Sequence, residues 1–171
     1  LDDFGSRDPA DYLAGFPWHP HRGIETVTYM LHGTVEHGDS LGNKGKLGSG
    51  DVQWMTAGSG IIHQEMPKGQ KDGLMWGFQL WANLPSSHKV MDPRYRGVES
   101  EEIPELVHPG GLRIRGIAGV VEGTRGPVRE IVADPMYLDV TSPAGGTFSR
   151  AEGPGRTLFA YVIGGKGFFG D

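Results

Sequence analysis

Cysteine is missing from the chain altogether. Its absence removes disulfide frameworks, thiolate zinc sites, iron-sulfur clusters and cysteine nucleophiles together. Any metal must then be held by His, Asp or Glu. No uninterrupted apolar run is long enough to cross a bilayer, and no basic region followed by an apolar signal core opens the chain. The expectation is a soluble, cytoplasmic protein, or a nuclear one in a eukaryotic source. An excess of positive charge is lacking too. The net charge is −5, with the signs interspersed, and a nucleic-acid backbone usually demands a basic patch. No direct nucleic-acid or membrane partner is expected. Histidine does not occur beyond His108, so imidazole chemistry is confined to the earlier part of the chain.

Glycine is abundant, with 29 residues beside 12 prolines in a chain of 171. Without collagen's period, and spread between short β-branched and aromatic runs, it is what many tight turns between short strands require. The fold class expected is all-β. Ile24–Leu31, Thr34–His37, Val52–Thr56, Leu112–Val120, Tyr137–Thr141 and Thr157–Ile163 read as strands, and 39–45 as a hairpin turn. Large side chains fill both alternations of 74–81, which reads as a strand buried on both sides. Ser6–Asp11 reads as a short helical turn or a loop, Ser100–Ile103 as a short turn of helix, and the rest of 85–104 as an irregular connection. The strand-and-turn texture of the beginning returns from Met136, in keeping with an internal duplication.

The chemistry gathers in two short stretches. Trp18-His19-Pro20-His21-Arg22-Gly23-Ile24-Glu25 is answered by Ile61-Ile62-His63-Gln64-Glu65. In an extended strand, side chains two apart share a face, so His19 with His21 and His63 with Glu65 can each present two ligands in one direction. Three imidazoles and a carboxylate suit a transition metal of intermediate softness better than calcium or magnesium. If the register of His19 and His21 runs on, Glu25 lies on the ligand face with Val27, Tyr29 and Leu31, and competes as the metal carboxylate. His37 could add a ligand or a substrate contact, but its turn-flanked strand favours a polar surface residue. His32 reads the same way, and His88 and His108 read as surface or hydrogen-bonded structural residues.

These residues resemble a known family. His19-x-His21-x3-Glu25-x7-Gly33 looks like the first cupin motif, and Gly58-x-Gly60-x2-His63 like the second, with Gly58 where proline is usual. More narrowly, His19–Gly23, Asp51–Gly58, His63–Pro67, Gln79–Pro85 and Pro93–Tyr95 resemble the pirins. The resemblance implies a bicupin of two antiparallel β-barrels. The metal-binding barrel would span 1–100. Residues 101–171 would hold the connection and the start of a metal-free second barrel, incomplete in this chain. It also implies one mononuclear metal on His19, His21, His63 and Glu65, with Glu25 a supporting acid. Iron(II) is the first expectation, with Mn, Ni, Co, Cu or Zn as alternatives. The implied activity is a quercetin (flavonol) dioxygenase of the 2,4-cleaving quercetinase type. Its substrates would be a flat aromatic flavonol and O2, with Glu65 as the catalytic proton acceptor and Val27, Trp54 and Phe78 as candidate dry walls. The alternative is a metal- or redox-responsive co-regulator that binds a protein partner outside the pocket.

Overall fold

The computed structural model describes residues 1–170. The chain opens with β1 (Asp2–Asp3) and a short helix α1 (Pro9–Tyr12), whose N-cap Asp8 accepts a hydrogen bond from the Ala10 amide. Then come β2 (Phe16–His21), β3 (Ile24–His32), β4 (Thr34–Asp39), β5 (Lys44–Leu47), β6 (Val52–Thr56), β7 (Ile61–Lys68) and β8 (Trp76–Asn83). β9 (Arg94–Val98), β10 (Glu105–Val107), β11 (Arg113–Ala118), β12 (Val120–Val121), β13 (Thr124–Arg125) and β14 (Tyr137–Thr141) complete the strands. Every strand pair is antiparallel.

A five-stranded sheet, β1-β8-β3-β6-β9, faces a four-stranded sheet, β2-β7-β4-β5, and β10-β11-β14 make a third. Between the first two sheets lie two small apolar clusters. Met30, Val35, Leu47, Met75 and Tyr12 close one end, and Met55, Ala57 and Ile61 the other. A larger cluster lies on the opposite face of the five-stranded sheet. There Val27, Tyr29, Val52, Trp54 and Val98 pack against Ile103, Ile117, Ala118 and Val128. Each such fully buried aliphatic side chain contributes about 1.5–3 kcal/mol of burial free energy. This outer cluster ties the third sheet to the first.

Three sequence expectations need correction. Residues 94–98 are not part of an irregular connection but the edge strand β9, paired with β6. Arg-Tyr-Arg-Gly-Val carries few β-branched residues, and pairing with an existing edge supplies what local propensity does not. Thr157–Ile163 forms no strand, since no ladder partner lies beside it among the described residues, and Leu158 and Phe159 are exposed. The strand over 74–81 holds as β8, yet only part of it is core. Phe78 is buried, whereas Trp81 is 59% exposed.

Candidate metal centre

Strand β7 is the spine of the site. It lies between β2 and β4, with His19 paired across from His63 and His37 paired across from Glu65. Directly opposed residues on one face of an antiparallel pair bring their Cβ atoms to roughly 5 Å. His21 follows His19 at the strand repeat of two, so all five side chains converge between the sheets. One ligand atom from each of His19, His21 and His63 lies within 4.8 Å of the others, and a second such group joins His37, His63 and Glu65. Glu65 therefore stands with His37 and His63 rather than inside the outer imidazole trio.

The trio has the features of a cation site. His19 Nδ1 lies 2.8 Å from the Pro17 carbonyl oxygen, so it carries the ring hydrogen and leaves the Nε2 lone pair facing His21 Nε2 at 3.1 Å. Both ring nitrogens of His63 are buried without a hydrogen-bond partner. Leaving such groups unsatisfied costs about 1–3 kcal/mol each, and one divalent cation offsets that cost at several nitrogens together. Burial, followed by the neighbouring imidazoles of His19, His21 and His37, pulls the pKa of His63 down to about 3. Burial also lowers that of His21, with His19 adding to the effect. Neutral imidazole is the form that ligates, so the residues present fit a transition metal.

Glu65 is held by the facing sheet. Thr28 Oγ1 and Gln53 Nε2 donate to its Oε1 at 2.9 and 3.0 Å, and Gln79 Nε2 donates to Oε2 at 2.8 Å. Burial raises its pKa, and Thr28 is the first of the groups acting against that rise. The three donors stand side by side in the ladder, Thr28 opposite both Gln53 and Gln79. Sequence reasoning passed over all three. Their signal was uncharged polar residues inside otherwise apolar strands.

Glu25 is on the other face. Since Thr28 points inward, Glu25, Val27 and Tyr29 point outward, and Glu25 Oε1 instead accepts a hydrogen bond from Thr56 at 2.8 Å. The register of His19 and His21 does not continue. The chain leaves the four-stranded sheet at His21, turns at Gly23 with φ +69°, and enters the five-stranded sheet at Ile24. Val27, Trp54 and Phe78 are consequently not pocket walls: Val27 and Trp54 belong to the outer cluster, and Phe78 lies across from outward-facing Tyr29. The aromatic beside the outer imidazole trio is Trp81, edge-on to His21 with ring centroids 5.2 Å apart.

His37 is not a surface residue. Its side chain is fully buried, stacked on Tyr95 with centroids 4.6 Å apart, and its Nε2 lies 3.2 Å from Asp39 Oδ2. His32 pairs with Asp72 at 3.0 Å, His88 with Ser87 at 2.8 Å and His108 with Glu122 at 3.3 Å, all away from the pocket. Gly58, where proline is usual, has φ +52°, and a Cβ there would meet the Met91 carbonyl oxygen at 2.1 Å. Proline's fixed negative φ has no place in this turn. No helix among the described residues is long and apolar enough to cross a membrane.

Residues 1–82 match the sequence model of the family described as Pirin. A pirin-like protein from Caulobacter vibrioides is 47% identical over 167 residues, covering 97% of this chain and 60% of its own length. The crystal structure of GK1651 from Geobacillus kaustophilus is 45% identical with a TM-score of 0.61, covering 68% of this chain and 45% of that one. A quercetin 2,3-dioxygenase structure from Acinetobacter baumannii is 39% identical with a TM-score of 0.61, covering 67% of this chain and 41% of that one. The chain thus spans about three-fifths of the length of the curated relative it matches.

Proposed function

We infer that this chain is a pirin, from the match of residues 1–82 to that family's sequence model and its 47% identity to a pirin-like protein, and, with the buried imidazole cluster, that it is a mononuclear metal-dependent oxidoreductase of the quercetin dioxygenase type. Its ligands are His19, His21, His63 and Glu65, and its substrates a flat aromatic flavonol and O2. The observation that carries this reading is the convergence of three imidazoles within 4.8 Å, with both nitrogens of His63 buried and unpartnered. Similarity to the Acinetobacter baumannii quercetin 2,3-dioxygenase supports the reaction class.

An iron(II) ion would supply open coordination positions at which a deprotonated flavonol and dioxygen meet. The chain's own residues do the rest. His19 is turned by the Pro17 carbonyl so that Nε2 faces the site, and Trp81 offers a ring edge beside His21 against which a flat ligand can lie. Glu65, fixed by Thr28, Gln53 and Gln79, is the acceptor for the flavonol hydroxyl proton. The sheet interior excludes bulk water from that transfer.

Metal-loaded full chain incubated with quercetin should consume oxygen as the flavonol absorbance falls, and His63→Ala should lose both signals. Turnover no greater than that of free metal, unchanged in His63→Ala, would overturn the proposal.

A further inference from the structure

We propose that His37 makes a second, inner cation position in this pocket, formed by His37, His63 and Glu65 and able to hold a divalent transition metal without His19 and His21. It deepens the metal reading above and rests on it. The three groups are all buried, and one ligand atom of each lies within 4.8 Å of the others.

The orientation of His37 is the second observation. Asp39 accepts hydrogen bonds from the Leu41 and Asn43 amides and from Asn43 Nδ2, all pure donors, so it meets His37 Nε2 as an acceptor. The hydrogen therefore sits on Nε2, and Nδ1 keeps its lone pair. That Nδ1 is buried and has no partner. A carboxylate that fixes the tautomer of an imidazole whose other nitrogen is free is the usual support of a metal-ligating histidine. Stacking on Tyr95 at an interplanar angle of 20° holds the ring in place.

Glu65 retains capacity as well. An ionised carboxylate has about four acceptor positions, and Thr28, Gln53 and Gln79 use three of them. Two imidazoles and one carboxylate suit Fe(II), Co(II), Ni(II) or Zn(II), whereas calcium and magnesium prefer oxygen alone. Since His63 belongs to both groups, one ion has two overlapping positions, and loss of the outer pair leaves a competent set.

Titration of the full chain with Co(II), followed by its visible absorption and by calorimetry, tests this. The double variant His19→Ala/His21→Ala should still bind one equivalent, more weakly than wild type and with a changed spectrum. Adding His37→Gln should abolish that binding while circular dichroism shows the fold retained. In the double variant, Co(II) should also broaden the His37 ring resonances, a readout that needs no change at position 37. A folded double variant that binds no Co(II), or a triple variant that binds as the double does, would overturn the inner position. Failure of wild type to bind Co(II) would instead sink the metal reading itself.

Discussion

The two faces of the five-stranded sheet are built from alternate residues of the same strands, and they do opposite work. On the inner face Thr28 and Gln53, which are buried, and Gln79, which is half-buried, all donate to one carboxylate, Glu65. On the outer face Val27, Trp54 and Tyr29 are packed against the third sheet. A step of one residue along β3 thus separates the chemistry from the packing that supports it. Thr28, Gln53 and Gln79 are tolerated inside because each donates to Glu65, and the larger apolar cluster that stabilises the arrangement is placed outside.

The sharpest way to break this division is to exchange acids across it. Glu65→Ala removes a proposed ligand and leaves Thr28, Gln53 and Gln79 facing a cavity, so tight metal binding should be abolished. Glu25→Ala, on the outer face, should leave one equivalent bound. Element analysis after dialysis reads the difference, and equal loss in both variants would refute the assignment of faces.

A second pair sharpens it through stability. Trp54→Ala should cost about 3–5 kcal/mol in denaturant unfolding, as truncation of a buried aromatic usually does, with metal stoichiometry unchanged in the folded protein. Gln53→Ala, its immediate neighbour, should cost only about 1–3 kcal/mol but weaken metal affinity about 10- to 100-fold through Glu65. If both variants lose stability and affinity in step, the two faces are not separable.

How far the sequence discloses these faces depends on whether one strand suffices or a sheet must be known. Alternation within one strand was legible: the spacing of His19 and His21, and of His63 and Glu65, places each pair on one side, and strand pairing then joins them. Parity across a turn was not. Glu25 reads as a ligand only if β2 and β3 share a sheet, and the crossing at Gly23 is a tertiary event that no local pattern encodes. The burial of His37 is hidden for a related reason. Its strand is flanked by turns, which predicts exposure, but β4 is a central strand between β7 and β5 and buries it. Thr28, Gln53 and Gln79 look like ordinary polar residues until Glu65 is seen opposite them.

The link between the faces should be weaker than either face. Tyr29 is Thr28's neighbour in sequence, and its hydroxyl donates to Asp139 Oδ2 at 2.7 Å and accepts from Arg115 Nη1 at 2.8 Å. Burial pushes its phenol pKa well above the usual range, and Asp139 adds to the shift. The hydroxyl therefore stays a donor. Tyr29→Phe should cost about 1–2 kcal/mol and speed amide exchange in β11 and β14, with metal binding intact. A loss of metal in this variant would mean that the third sheet governs the site directly.

The last effect is one of pH. In the metal-free protein His63 has its pKa depressed to about 3, chiefly by burial, against about 6.5 in an unfolded chain. Between those values the unfolded state binds a proton that the folded state does not. The stability contributed is thus fully present above about pH 6.5 and lost as pH falls towards 3, with a slope of at most about 1.4 kcal/mol per pH unit. Glu65 and Glu25 act in the opposite sense, because burial raises both. Their contribution is full below the unfolded carboxylate pKa and is lost as pH rises through the folded one. Comparison with His63→Gln, melted in chelator across pH 5–7, isolates the imidazole from these carboxylates. The wild type should lose stability on acidification more steeply than the variant. Parallel curves would mean that the inner face does not hold His63 as the neutral base that metal binding requires.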